Sequence, residues 1–561
     1  MKKFANHCLD RMTFGATPDD IQAFNALGGN NNDRLSAYVN QQLDWSSIND
    51  STFQARIASL DYQTLDKTLS EMWQDHHVVG VDRNLPGREM ERFSVARALH
   101  SKRQLLESLT DFWHNHFNVY LYDFYVQSTL VSWDRDVIRP PVAGHPRPTG
   151  LQHGHLMGNF RQMLELSSQH AAMQRYLDNY INQVGGPNEN YAREVMELHT
   201  LGAENYLPLA EPGDIPVFDT PMPWGNNGQD IMVSVASAYS DNDVYSAMRM
   251  LTGWKIKDQG SRDYSDYTDD GSFFFYEPWH DTFEKTILGH RWGNNALAPN
   301  DIREFFDLLA YHPATAQHIA GKLCRRFISY DPPQGVIDSV AATFYNNRYA
   351  SDQLERTYRT LLNSNAFKDP ANWGVILKRP AETLISSMRV ANTNYIPAMS
   401  DRNSNSIISY YMGRARNRPF YWQTPDGYPM EEQHWLGGNA LMYSLRGIDF
   451  ICDRDTGDQD EAVVPLQRET LNAGLPSHTP NSLATYWLER VLGYSPDGGW
   501  QGTSEHTAIR SFMQKNFLND TLQGPDEPFA DITENRYPQY VPERLRGMIK
   551  LVMSTPDFLY R

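Results

Sequence analysis

The chain has little sulfur with which to cross-link itself: three cysteines, Cys8, Cys324 and Cys452, are scattered over 561 residues. There is no CxxC pair, so a zinc ribbon and a disulfide framework are excluded, and at most one bridge could form. No run of about eighteen apolar residues occurs, which excludes a spanning helix. Positive charge is also in deficit. Fifty Lys and Arg stand against 68 Asp and Glu, a net charge of −18, and no Lys/Arg cluster offers a local exception, so nucleic acid is a poor partner. The signatures GxSxG, HExxH, Walker A, GxGxxG and CxxCH are missing, which removes support for serine hydrolase, zincin, NTPase, Rossmann and attached-haem readings. No fixed-period repeat appears, so a solenoid or propeller is not supported. The opening MKKFANHCLDRMTFGATPDD turns polar within a few residues and lacks the apolar stretch of an export signal. That fits a chain that stays inside the cell, and equally one whose signal has been removed.

What is present describes a folded protein. Aromatics make up 12% of the residues and charged groups only 21%, a balance unlike that of disordered chains. The length exceeds what one hydrophobic core usually supports and suggests roughly two to four structural units. Apolar positions recur at three- and four-residue spacing over 88–117, 156–178 and 314–328, predicting helices. In PNENYAREVMELHTLG (187–202), Asn188 suits an N-cap, Glu189 the first turn, and Gly202 a left-handed end. Stretches 139–150, 207–228 and 263–272 are rich in Pro, Gly, Asp and Asn and predict irregular loops, while 273–292 suits a short β-hairpin. The fold class is mainly α, a large multi-helix assembly with long irregular loops. Residues 1–400 are expected to form a helical core with an inserted loop region at about 203–240. Residues 401–561 are expected to form a C-terminal helical subdomain packed on it.

Chemistry concentrates in two stretches. In DFWHNHFNV (111–119), with about 100° per helical residue, Glu107, Thr110 or Asp111, and His114 share one face, whereas His114 and His116 point in nearly opposite directions. In the second stretch Glu194 and Glu197 lie together, while Glu189 and His199 project elsewhere. The convergent set is Glu107, His114, Glu194 and Glu197. Two helices giving carboxylates and a histidine to a bundle interior is how carboxylate-bridged metal sites are built, although those use Glu-xx-His pairs that are absent here. Two other readings stand beside a metal site. His114 would be a satisfied core histidine between Trp113 and Phe117, with the glutamates paired to arginines; or Glu194 or Glu197 would be a general base whose pKa is raised by burial. WHDTFEKTILG (279–289) offers His280, Asp281 and Lys285 at a loop. Asp263–Asp270 and Asp453–Glu461 carry Asp at alternate positions, as calcium loops do, without the full spacing or the terminal bidentate Glu.

Several stretches together resemble one family, the bacterial DUF1800 proteins of unassigned function: CLDRMTFGATPDDI (8–21), LTDFWHNHF (109–117), HAAMQRYLDN (170–179), NENYAREVMELHTLG (188–202), LTGW (251–254), HDTFEKTILG (280–289), HPATAQHIAGKLCRRFI (312–328), KRPAE (378–382), TPDGYP (424–429) and STPDFLYR (554–561). They run in family order from end to end. Members are typically exported and tend to be encoded beside a second exported family resembling sulfatases and phosphatases, so the resemblance implies a periplasmic or extracellular home but no reaction. This chain departs from the pattern in the residues inserted between Gly202 and Leu251 and in the acidic loop after LTGW.

If these stretches meet in space, His114, His116, Glu194, Glu197, His199, His280 and Asp281 are the polar residues expected around one cleft, with Glu107, His114, His116, Glu194, Glu197 and His199 as the donors for a divalent ion. The expected function is an exported enzyme, hydrolytic or oxidative, acting on an extracellular polymer or small molecule with or without a divalent ion. The alternative is a non-catalytic envelope or matrix protein whose polar clusters lock a scaffold and whose inserted loops bind a partner, such as a co-exported protein.

Overall fold

The structure, a computed structural model, describes residues 3–211, 213–258, 267–294, 299–453, 463–515 and 520–561. Among these, helices dominate, and extended structure is confined to three two-stranded antiparallel ribbons. No helix among the described residues is long and apolar enough to cross a membrane. Five helices frame the site: α1 (Leu85–His100), α2 (Gln104–His116), α3 (Asn190–Glu197), α4 (Pro313–Phe327) and α5 (Pro380–Val390).

The long periodic runs are helical; 314–328 is continuous in α4 as far as Phe327, whereas 88–117 and 156–178 are interrupted, each by a polar contact. Between α1 and α2 the Asp50 carboxylate accepts from Ser101 Oγ at 2.7 Å and from the Lys102 N–H at 2.9 Å, which gives the chain a polar partner outside the helix and lets α2 start afresh. Residues 156–178 divide at His170, whose ring nitrogen accepts from the Ala172 N–H and caps a second helix. His312 does the same for α4, accepting from the Ala314 N–H at 3.0 Å ahead of Pro313 at the first helical position, where proline's missing donor costs nothing. Asn188 accepts from the Asn190 N–H at 2.9 Å, but α3 begins one residue later than expected, so Glu189 rather than Asn188 is its N-cap. Gly202 does have positive φ, +90°, although α3 ends five residues before it.

The predicted hairpin is present: Lys285–Ile287 pairs with His290–Trp292 through Leu288 and Gly289, both at positive φ, the backbone a tight two-residue turn requires. The 207–228 stretch is not wholly irregular, because Val217–Met222 pairs with Ile231–Ala236. The alternation in the second strand, with Val233 and Val235 buried and Ser234 exposed, holds a partner strand despite Pro221, which a two-stranded ribbon tolerates at its edge.

The buried apolar residues fall into two large cores and a small third cluster of Trp73, Ala171 and Ile256. One gathers residues from Ala5 to Phe367, the other residues from Leu377 to Leu559. Helix α1 is the partition: Met90, Phe93 and Ala96 face the first core, Val95, Ala98 and Leu99 the second. At this seam the loop containing TPDGYP lies along the C-terminal end of α2. Asn115 Nδ2 donates to the Tyr428 carbonyl at 3.0 Å and its Oδ1 accepts from the Tyr428 N–H at 2.6 Å. Asn118 donates to the carbonyls of Trp422 and Thr424. The approach is so close at Gly427, φ +75°, that a Cβ there would sit 2.1 Å from the Asn115 carbonyl oxygen. Gly427→Ala should therefore destabilise the protein by at least about 1–3 kcal/mol from backbone strain alone, read as a lowered denaturation midpoint; an unchanged midpoint would mean the loop does not hold this position.

Candidate functional site

The centre of the site is a buried ion network built on α2 and the turn that follows the short helix Leu130–Trp133. Asp134–Ile138 is a π-helical turn, closed by the Arg139 N–H bonding the Asp134 carbonyl at 2.9 Å. This wide turn brings side chains five residues apart onto one side. Arg139 Nε donates to both Asp134 oxygens, at 2.7 and 3.0 Å, and its two terminal nitrogens donate to Glu107 at 3.0 and 2.6 Å. His114 Nε2 meets Asp134 Oδ1 at 2.8 Å. Glu107, His114, Asp134 and Arg139 are all buried. Burial opposes the charge on Asp134, but the Arg139 guanidinium and the His114 imidazole outweigh it and hold its carboxyl below the usual range. An ionised Asp134 in turn fixes the His114 proton on Nε2, and Nδ1 has no protein partner among the described residues.

His114 lines a cavity of about 90 Å³ whose walls include Glu107, Thr110, Asp134, Arg139, Asn417 and Phe420. Its far wall holds a second ion network. Glu382 Oε1 is met by Arg326 at 2.7 Å and by Arg561 at 3.1 Å, and Glu382 Oε2 accepts from the Arg379 N–H at 2.8 Å. Arg379 also pairs with Asp111. Burial again opposes ionisation, yet Arg326 and Arg379 bring the Glu382 carboxyl down to about 2. The LTDFWHNHF, CRRF, KRPAE and DFLYR stretches thus meet in one charged cluster at the core seam.

His116 faces the opposite way, as the helical period requires. Its Nε2 lies 3.2 Å from the His199 carbonyl, and its ring is 6.0 Å from the His199 ring and 6.4 Å from that of His318. Both nitrogens of His199 and Nδ1 of His116 are buried without a hydrogen-bond partner. Burial and the neighbouring Lys322 keep both rings neutral, His199 being lowered to about 3. Burial and Arg325 push Lys322 down to about 8. Glu194, half-buried on α3, is raised to about 7 by burial, by Glu197 and by Asp426 of the TPDGYP loop, against Arg193.

The single cleft expected from sequence is therefore divided. Glu107 and His114 do come together; His116 and His199 form another pair, and Glu194 with Glu197 a third. The two faces of α2 separate His114 from His116, and Arg139 occupies the Glu107 oxygens that would have faced a metal. Among the described residues no three His, Cys, Asp or Glu side chains are grouped to hold a metal ion. His280 and Asp281 lie in neither wall of the cavity. His280 bonds the Thr252 carbonyl at 2.8 Å and Asp301 at 3.1 Å, and Asp281 pairs with Arg249 at 2.7 Å, which ties LTGW to the HDTFEKTILG hairpin. Lys285 donates to the carbonyls of Asp281 and Phe283. Of the two acidic loops read as calcium candidates, 263–266 and 454–461 lie outside the described residues. Asp269 accepts from Trp73 Nε1 at 2.7 Å and Asp270 from Ser272.

Sequence reasoning missed Asp134, Arg139, Arg379 and Glu382 as site residues. Asp134 and Arg139 stand at a spacing of five, which no α-helical pattern pairs, and only the π-turn brings them together.

The arrangement defines a mainly helical protein with a histidine and carboxylate cavity at the seam of two cores. The family model described as "Protein of unknown function (DUF1800)" matches residues 7–560, and the chain belongs to that family. No curated protein and no solved structure matches the chain.

Two outcomes follow from the electrostatics. Arg139→Gln leaves Glu107 and Asp134 buried without their cation and should cost about 3–5 kcal/mol in a denaturant titration, whereas His114→Ala, which leaves that pair intact, should cost clearly less; equal costs would refute the network's hierarchy. For Glu194, the folded carboxyl holds its proton to about pH 7 whereas its ordinary value is 4.5. The folded state therefore binds more protons in that window, and stability falls as pH rises through it. Glu194→Gln should melt higher than the parent near pH 8 and show no such advantage near pH 4; parallel pH profiles would contradict the raised value.

Proposed function

We propose that this protein is an exported enzyme of acid–base type whose working group is His114. The carrying observation is the placing of the imidazole: Nε2 lies 2.8 Å from Asp134, which is held ionised, and Nδ1, without a protein partner among the described residues, is then left as the basic atom of a side chain that lines the cavity. In that state Nδ1 can take a proton from a water or a substrate hydroxyl, and Asp134 stabilises the imidazolium that results. Arg139 and Glu107 hold Asp134 in place and charged. Hydrolysis is the reaction type this supports best, since a base, a carboxylate orienter and a cation are all it requires of the protein. A neutral imidazole oriented by a carboxylate is also the form that ligates a divalent ion. The family's habit of export supports a periplasmic or extracellular location.

The alternative, a non-catalytic envelope or matrix protein, draws on a different observation: Glu107, Glu382, His280 and Asp281 are all consumed by structural partners. The two readings part at His114. With glycoside, ester and phosphoester model substrates, His114→Ala should lower turnover about 10²–10⁴-fold while a cooperative melting transition is retained, and imidazole added to the variant should restore part of the rate. A variant as active as the parent, or a rate lost only because the fold is lost, would favour the scaffold.

A further inference from the structure

Beside the small cavity lies a cleft of about 660 Å³, within the size range of small-molecule sites. Asp134 and Arg139 line both spaces, so the ion pair that orients His114 is the partition between them. The cleft reverses the sign of the molecule. In a chain of net charge −18, its walls carry Arg97, Arg103, Arg135 and Arg139 against only two carboxylates, Asp66 and Asp134. Arg139 is consumed by Asp134 and Glu107, and Arg135 by Asp136 and by the Lys67 carbonyl. Arg97 and Arg103 are only partly engaged. Arg97 has a 3.5 Å contact with Glu107, Arg103 donates to the Ile48 carbonyl at 3.0 Å, and Nε of each is buried without a partner.

Each of these two guanidinium groups lies over an aromatic ring, Arg97 at 4.2 Å from the centroid of Phe93 and Arg103 at 5.4 Å from that of Trp45. Phe93 is buried and stacked on Phe53, so the partly exposed rings on the walls are Trp45 and Tyr62, and the exposed side chains of Gln54 and Gln63 add amide donors and acceptors. Apolar faces for stacking, amides for hydroxyls, and arginine forks for carboxylate or sulfate are the three demands of one ligand class. We infer that the cleft binds an acidic carbohydrate, a short sugar chain carrying carboxylate or sulfate groups. As the substrate class of the His114 centre this rests on the proposed function, but binding is measurable without turnover.

The test is titration of the full-length protein with three oligosaccharides of matched length, one carrying uronate groups, one sulfated and one neutral, followed by calorimetry or tryptophan fluorescence. At least one acidic chain should bind about tenfold or more tightly than the neutral one, with affinity falling as salt rises. The more strongly bound chain identifies which anion the arginines select. Arg103→Gln should weaken that binding about tenfold with an unchanged melting temperature, Arg97→Gln should do likewise, and His114→Ala should leave affinity intact. Equal binding of the neutral chain, binding indifferent to both arginine variants, or no binding of any chain would overturn the inference. Acidic binding without turnover by the parent protein would keep the cleft and remove the acid–base reading instead.

Discussion

The bond between Arg139 and its two carboxylates is what the rest of this region depends on. Placing Glu107 and Asp134 in the protein interior costs several kcal/mol each in lost hydration. That cost is met only because one planar guanidinium reaches both, bidentate to Glu107 and through Nε to Asp134. A lysine could not substitute, since a single ammonium does not present two separate forks. The π-turn of Asp134–Ile138 makes the geometry available by returning the chain so that Arg139 closes on the residue where the turn began. Such turns recur at functional sites because they aim side chains that a regular helix would send apart. Here the turn aims a carboxylate at His114 and a cation at both cavities.

How much of this was legible in the sequence depends on which period governs each group. The opposed directions of His114 and His116 follow from 100° per residue, and the structure keeps them so. The proximity of Glu194 and Glu197 follows from the same rule. What could not be read is which distant segment each face meets, since that is decided by packing across the two cores. The four-residue set Glu107, His114, Glu194 and Glu197 assumed that α2 and α3 turn their polar faces to each other. Instead α2 turns His114 to the π-turn and His116 to His199, while α3 keeps its glutamates near the TPDGYP loop. The boundaries of the long helical runs were similarly opaque, because Asp50 and the ring of His170 end them through contacts that periodicity does not contain.

The family stretches also divide by physical role. Asn115 and Asn118 in FWHNHFN fasten the TPDGYP loop, His170 and His312 cap helices, and His280 with Asp281 locks a hairpin to LTGW. These are buried polar groups with their partners supplied, which specify how the segments assemble. His114 differs from them in one respect that matters: half of its ring is spent on structure and the other half is not. A histidine kept only for packing gains nothing from an uncommitted nitrogen on a cavity wall, where an unmade bond is a net cost.

The same reasoning separates the two sides of α2. On the His116 side, both nitrogens of His199 and one of His116 are without partners among neutral rings, with Lys322 depressed and Glu194 raised. Each of these groups leans toward its uncharged form, because burial outweighs the opposite charges nearby, Arg193 for Glu194 and Glu204 with Asp426 for Lys322. On the His114 side, Asp134 and Glu382 are held charged by arginines although both are buried more deeply than Glu194. A site that must receive and return a proton at an imidazole needs a fixed negative charge beside it to hold the cation that forms. Asp134 provides that charge for His114. Lys322, a cation neighbouring His116 and His199, would oppose it, so the electrostatics support the proposed acid–base role for the His114 face of α2 rather than for the His116 face.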